Sequence, residues 1–211
     1  VALMLLAVFL EFPAVCGEEL DYHNAFRSDE RSVLEDLYIQ LNGTHWGSSC
    51  SPQGTNCWLD RSVSHCTWRG VGCNNAGNIT SIVLGSNNMV ADFSAATALC
   101  SLQWLTKIDL RSNRLYGTLP TCLGSLSRLA MLFLAQNELS GGLPPEYATL
   151  TSLQFLMLLQ NNFSGPLLPS PLCAMTSLVV LDLSNNYFSG VVSSLWGCVL
   201  TLCLGNADAH T

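Results

Sequence analysis

Ten cysteines give this 211-residue chain its greatest capacity for chemistry. Paired cysteines form disulfides in oxidising compartments, whereas thiolates near a histidine can bind zinc. Four of them lie within 24 residues, and His65 directly precedes one of the four. The chain has no pair of C-x-x-C motifs, which favours disulfides over a metal site. Of the three pairings that four cysteines allow, we favour Cys50 with Cys57 and Cys66 with Cys73, and the other two stay open.

The common catalytic motifs are absent from the sequence. It contains no G-x-S-x-G nucleophile elbow, no G-x-x-x-x-G-K-[ST] phosphate-binding loop and no H-E-x-x-H zinc helix. We therefore predict no enzymatic activity, no cofactor and no metal site.

The charge pattern excludes one large class of partner. The formal net charge is −7, and Lys107 is the only lysine among eight basic residues. Nucleic-acid binding needs a basic stripe or patch, which this sequence lacks. Because 49% of the residues are hydrophobic and only 11% are charged, we expect a packed core rather than a disordered chain.

The first residues are typical of a secretion signal. An apolar run over residues 1–10 precedes the small residues Ala14–Gly17, so we interpret residues 1–17 as a partial signal peptide that lacks its start. No apolar run approaches the roughly 18 residues of a membrane span, and we expect membrane attachment only through an anchor outside this chain. In a secreted protein, three sequons become glycosylation candidates: Asn42, Asn78 and Asn162.

The middle of the chain is an internal repeat. The pattern L-x-x-L-x-L-x-x-N-x-L, with other apolar residues at some positions, occurs five times within residues 79–192, and its asparagines are 24 to 26 residues apart. In L-x-L both apolar side chains point to one side of a short strand, so successive strands stack into one core. The asparagine amide can bond backbone groups that the following turn leaves free. The predicted ladder is Asn87, Asn113, Asn137, Asn161 and Asn186.

The complete repeat, which continues as S-G-x-x-P in Ser140–Pro144, resembles extracellular leucine-rich repeats of the plant type. Such repeats are found in receptor-like proteins, polygalacturonase-inhibiting proteins and surface antigens of kinetoplastid protists. Upstream, the segment CTWRGVGC, Cys66–Cys73, is similar to the N-terminal cap of this family. The resemblance implies an α/β fold: a right-handed leucine-rich repeat solenoid with a parallel concave sheet, an irregular convex side and a helical, disulfide-stapled cap.

The cap must cover the core that a solenoid exposes at its first repeat. We assign it residues 18–78, with a helix from about Asp29 to Leu41 because apolar residues recur there at near-helical spacing. Three tryptophans are expected to seal the end: Trp46, Trp58 and Trp68.

The repeat pattern decays after Asn186, and residues 193–211 fit only a degenerate or truncated sixth repeat. On the convex side, Cys100 and Cys122 occupy similar positions in neighbouring repeats, where they could meet. If Cys16 leaves with the signal peptide, nine cysteines remain, and Cys203 is the candidate for the unpaired thiol.

In this architecture the strand residues between the inward leucines face outward on the concave surface. The middle repeats place an apolar patch there, formed by Met131, Phe133, Phe155, Met157 and Leu159. Its charged border is predicted to be Lys107, Asp109 and Arg111 on one side and Asp182 on the other. A patch of this kind is typical of a protein-binding surface. We expect the two aspartates to be solvated and too far apart to act as an acid and base pair.

The family resemblance implies a recognition module, secreted or on the extracellular face of the plasma membrane, that binds a protein, peptide or glycan. Two alternatives stay open: an inhibitor of a secreted enzyme, similar to the polygalacturonase-inhibiting proteins, and a structural coat antigen. The apolar patch argues modestly against the inhibitor, which would have to plug a polar cleft. The oligomeric state is not indicated by the sequence.

Overall fold

The computed structural model describes residues 30–50, 54–167, 169–189 and 201–203. The proposed signal peptide, Cys16 and the side chain of Cys203 lie outside this description. Within it, no helix has the length and the apolar composition needed to cross a bilayer.

The cap begins with helix α1, Glu30–Gln40, close to the span predicted from the sequence. Its inward face buries Val33, Leu34 and Leu37. The Glu30 carboxylate accepts a hydrogen bond of 2.7 Å from the backbone N–H of Ile79, the first residue of the repeats. The start of the helix is therefore tied directly to the solenoid.

Three tryptophans fill the end of the core beside α1. The ring centroids of Trp46 and Trp58 are 4.9 Å apart, and those of Trp58 and Trp68 are 5.6 Å apart. Each indole N–H donates to a backbone carbonyl, at 2.8 Å for Trp46 and Trp58 and 3.1 Å for Trp68. The rings can be buried because their polar atoms keep hydrogen-bond partners.

A seven-stranded sheet runs along the solenoid, and a second sheet of four strands lies on the return connections. The first pair of the large sheet, within the cap, is antiparallel, and every later pair is parallel. The large, concave sheet consists of β1 Val71–Cys73, β2 Ile79–Val83, β3 Lys107–Asp109, β5 Met131–Phe133, β7 Phe155–Met157, β9 Val180–Asp182 and β11 Thr201–Cys203. The lateral sheet consists of β4 Tyr116–Gly117, β6 Glu138–Gly141, β8 Asn162–Pro166 and β10 Tyr187–Ser189.

The return connections are more regular than the irregular convex side that we expected. Besides the lateral sheet they contain helix α2, Pro169–Ala174, and several short 3-10 helices. Glycines with positive φ recur at Gly117, Gly141 and Gly165, so the three repeats that contain them bend at the same place and their short strands align. The short 3-10 helices after β2 are Phe93–Ala95, Thr97–Ser101, Thr121–Ser125 and Pro145–Thr149.

The inward residues of the concave strands form the core. One residue from each of five strands stacks on the next, and all five are 0% exposed: Ile82, Ile108, Leu132, Leu156 and Leu181. Strand β11 pairs in parallel with β9, so residues of the degenerate sixth repeat extend the same sheet. The parallel sheet, the stacked apolar residues and the helical cap confirm the predicted solenoid.

Candidate binding surface

The outward residues of the concave sheet form an ordered grid. Strand pairing places Met131 opposite Phe155 and Phe133 opposite Met157, and neighbouring strands lie about 4.8 Å apart. We call these four residues, together with Leu159 just after β7, the apolar strip. The structure thus brings together five residues that are separated by up to 28 positions in the sequence.

The apolar strip is only partly exposed, whereas an exposed patch was expected from the sequence. Side chains on strands this close shield one another laterally, which accounts for the difference. Every residue of the strip still keeps more accessible surface than its inward neighbours on the same strands, Leu132 and Leu156.

Three charged residues, which we call the charged corner, lie beside the strip: Lys107, Asp109 and Arg111. The Arg111 guanidinium donates to both carboxylate oxygens of Asp109, at 2.9 and 2.8 Å, and Lys107 Nζ is 4.0 Å from the same carboxylate. The guanidinium also lies 5.0 Å from the ring centroid of Phe133, and Lys107 Nζ lies 5.7 Å from it. Both cations therefore contact the edge of the strip through cation–π interactions.

Asp109 is buried, so the expectation that it is solvated was wrong. Only 3% of the surface of Asp109 is exposed, because Arg111 and Lys107 pack around its carboxylate. A buried carboxylate needs such paired cations to offset its lost hydration. In return, the hydrogen bond to Asp109 raises the pKa of Arg111. Two cations around one carboxylate leave the corner with a net positive charge.

Asp182 lies on the opposite side of the strip. It is placed across from Met157 by the pairing of β7 with β9, and it is partly exposed. Its carboxylate accepts hydrogen bonds from the backbone N–H and the hydroxyl of Ser184, at 3.0 and 2.6 Å. Strands β5 and β7 separate Asp182 from Asp109, so the two carboxylates are not arranged as a catalytic pair.

A row of polar side chains borders the strip where the strands end, and sequence reasoning did not single it out. Ser112 donates its hydroxyl hydrogen to Gln136 Oε1 at 2.5 Å, and Gln136 Nε2 donates to Gln160 Oε1 at 3.0 Å. All three residues have φ between 54° and 58°. We call them the polar row. The sequence does contain a signal for the polar row, because each of its residues directly precedes a ladder asparagine.

The repeat asparagines form a hydrogen-bonded ladder. Asn137 donates to the carbonyls of Leu110 and Leu134, at 3.1 and 3.0 Å, and accepts from the Leu115 N–H at 3.0 Å. Equivalent bonds recur at Asn113, Asn161 and Asn186. These amides face the backbone and hold consecutive turns in register.

Asn87 is the first rung of the ladder and joins the repeats to the cap. Its Oδ1 accepts a hydrogen bond of 2.9 Å from the Ser48 N–H, and its carbonyl accepts one of 2.7 Å from the Gly47 N–H. Among the described residues, the Nδ2 of this buried side chain has no hydrogen-bond partner.

Six of the described cysteines are paired as favoured from the sequence. Disulfides join Cys50 to Cys57, Cys66 to Cys73 and Cys100 to Cys122, and the last of these links neighbouring 3-10 helices. Cys173 is also disulfide-bonded. His65 lies within 4.8 Å of the Cys66 and Cys73 sulfurs, the one metal-like grouping in the described residues. Those sulfurs are bonded to each other at 2.03 Å and are not available as thiolate ligands.

The three sequons have different surroundings. Asn42 is partly buried beside a 3-10 helix of the cap, Asn78 is 6% exposed, and Asn162 is exposed at the start of β8.

The family model "Leucine Rich Repeat" matches residues 104–126 and 177–199. The leucine-rich repeat receptor-like serine/threonine-protein kinase SKM1 of Arabidopsis thaliana is 31% identical over 113 residues, which is 54% of this chain and 10% of that protein. The chain therefore spans about a tenth of the length of this curated relative.

Two solved structures illustrate the structural likeness. PEPR1-AtPEP1 matches with a TM-score of 0.69 and 25% identity, over 83% of this chain and 24% of that one. The ectodomain of the Arabidopsis receptor kinase HAESA, in complex with an IDA peptide hormone ligand, matches with a TM-score of 0.62 and 26% identity, over 84% of this chain and 33% of that one. The chain contains leucine-rich repeats, and its repeats and fold are similar to those of plant receptor ectodomains.

Proposed function

We propose that this chain is an extracellular recognition module that binds a protein or peptide ligand on its apolar strip. The observation that carries the proposal is the in-register array of partly exposed methionine and phenylalanine side chains on β5 and β7. Contiguous apolar surface with a charged rim is typical of interaction sites.

The chemistry of the strip favours a polypeptide over a sugar as the ligand. Methionine and phenylalanine bind apolar side chains through area burial, and each 100 Å² removed from water contributes about 2.5 kcal/mol. The polar row runs beside the strip, and the exposed Gln160 offers a side-chain amide to the main chain of an extended peptide. The apolar strip can bind the side chains of a peptide, while the polar row beside it can bind the peptide's backbone groups.

The charges at the two ends of the strip would orient the ligand. The charged corner is net positive on the β3 side, and Asp182 adds a negative charge on the β9 side. A ligand with an acidic group at one end and a basic group at the other therefore complements the surface. HAESA, whose ectodomain has a similar fold, is described with a peptide hormone bound, which supports a peptide as the ligand class.

Selection from a library of random peptides displayed on phage tests the proposal. The chain is immobilised for selection, and the double variant Phe133→Ser/Phe155→Ser is used for counter-selection. Tyr116→Ser, which removes an exposed aromatic ring from the lateral sheet, is the matched control. We expect enriched peptides with apolar residues that bind the native chain and Tyr116→Ser but not the double variant. Equal recovery on the double variant, or no enrichment on the native chain, would contradict the proposal.

A further inference from the structure

An N-linked sugar needs an asparagine whose amide projects into solvent, because the attached group is bulky and hydrated. Asn78 does not meet this condition. Its side chain is buried, the hydroxyl of Thr80 in the same sequon donates to the Gly72 carbonyl at 3.2 Å, and Ile79 between them is 0% exposed. A sugar on Asn78 would separate β1 from β2, so this sequon is incompatible with the folded cap.

Asn42 is held by its neighbours. It adopts a left-handed conformation with φ of 54°, and its Oδ1 is 2.7 Å from His45 Nδ1. Its Nδ2, the atom that would carry the sugar, donates to the Val90 carbonyl at 3.4 Å. Glycosylation there would remove a contact between the cap and the first repeat.

Asn162 projects away from the solenoid. It and Ser164 are exposed on one face of β8, while Phe163 between them is 0% exposed. Phe163 is fixed on the inner side by stacking against Phe188 of β10, with ring centroids 5.9 Å apart and planes inclined by 11°. Because side chains alternate along a strand, this stacking holds both polar residues of the sequon toward solvent.

An exposed tyrosine lies beside this sequon. The pairing of β8 with β10 places Tyr187 opposite Ser164, and Tyr187 is 71% exposed. An aromatic ring offers an apolar face on which the C–H groups of a sugar can pack while the hydroxyl groups stay hydrated. We infer that Asn162 carries an N-linked glycan whose first sugar packs on the ring of Tyr187. The inference depends on the extracellular location in the proposed function.

The position of this glycan leaves the apolar strip open. Asn162 follows the ladder residue Asn161 and belongs to the lateral sheet, beyond the polar row. The sugar therefore lies on the lateral sheet and not on the concave sheet that carries the strip.

The presence of a glycan on Asn162 is tested in the whole 211-residue chain, which is expressed in insect cells behind a heterologous cleavable secretion leader. Because the added leader directs secretion, the result does not depend on whether the protein is naturally extracellular. Mass spectrometry of peptides before and after enzymatic deglycosylation should show a glycan on Asn162 and none on Asn78. Asn162→Gln should abolish the corresponding mass shift, whereas Asn78→Gln should not. An unmodified Asn162 overturns the inference, whatever the result of peptide selection.

Packing on Tyr187 is tested by the effect of the glycan on the melting temperature. We expect removal of the sugar to lower Tm by about 2 °C in the native chain and in Tyr116→Ser, but by much less in Tyr187→Ser. Tyr116 is the control because it is an exposed tyrosine on the same sheet, 48% accessible, in the strand farthest from β10. An equal loss of Tm in all three proteins would show that the sugar does not pack on Tyr187.

Discussion

The inward and outward faces of the concave strands differ in their regularity. The central inward position is isoleucine or leucine in each of the five repeats, and all five of these residues are 0% exposed. Outward positions change from charged on β3 to apolar on β5 and β7, and β9 combines Val180 with Asp182. The uniform face packs against the next turn and determines the fold. The variable face points away from the core, and its residues differ from one repeat to the next.

The inward face should be the most sensitive to substitution. Leu132→Ala leaves a cavity between two turns and should lower the free energy of unfolding by about 3 kcal/mol, within the range measured for buried leucines. Urea denaturation followed by circular dichroism gives the value. Met131→Ala, its outward neighbour, should cost under about 1 kcal/mol. Similar losses in both variants would remove the distinction between the faces.

The ladder should be the next most sensitive feature. Asn137→Ala leaves the Leu115 N–H and two backbone carbonyls without their side-chain partner, which should cost about 2 kcal/mol. Gln136→Ala, one residue earlier and exposed, is the control and should melt within about 1 °C of the native chain. If both substitutions have the same effect on urea denaturation, the ladder does not carry this stability.

A buried tyrosine should make stability depend on alkaline pH. Burial raises the pKa of Tyr147, whose hydroxyl donates to the Pro120 carbonyl at 3.3 Å. The unfolded chain loses this proton near pH 10, so the stabilisation is complete below that pH. Above it, the free energy of unfolding should fall by about 1.4 kcal/mol per pH unit.

Thermal denaturation between pH 8 and 11 measures this dependence. Tyr147→Phe should be less stable near neutral pH because it loses a hydrogen bond, but its stability should fall less steeply above pH 10. Parallel curves for the two proteins would show that Tyr147 ionises equally in the folded and unfolded states.

The smallest effect on stability is expected on the apolar strip. Phe155→Ser removes a partly exposed ring that faces away from the core, and it should change the free energy of unfolding by less than about 1 kcal/mol. Urea denaturation of Phe155→Ser and of Leu156→Ala compares the free energies of unfolding for an outward and an inward residue of the same strand. A loss at Phe155 as large as that at Leu156 would place the strip in the core.

The sequence predicts what the repeat period determines. The spacing of the repeat is enough to predict the inward leucines, the ladder asparagines and the concave strands. The apolar periodicity near residue 34 predicts helix α1. The segments after each turn predict a glycine bend and a short second strand, but the pairing of these strands into the lateral sheet depends on contacts between turns, which the pattern of one repeat does not show. Around strand β11 the repeat is degenerate: Leu202 and Leu204 keep the L-x-L spacing, but the repeat asparagine is missing from its expected position, and the pairing of Leu202 with Leu181 of β9 gives the register.

The burial of side chains on the outward face depends on contacts between neighbouring turns. The residue pattern within one repeat does not show these contacts. Asp109 was expected to be solvated because aspartate on a strand surface usually is. Its burial results from Arg111 two residues later and from Phe133, which lies 24 residues away and supports both cations. The polar row was missed for the same reason, since its hydrogen bonds join residues 24 positions apart.

The most direct test of the account is the affinity of one selected peptide for the native chain and for Phe133→Ser/Phe155→Ser, measured by fluorescence anisotropy. Losing two central aromatic contacts should weaken binding at least about 30-fold, equivalent to about 2 kcal/mol. Melting temperature should change little, and Tyr116→Ser should bind like the native chain. Unchanged affinity in the double variant would show that the ligand binds elsewhere and would contradict the assignment of function to the outward face.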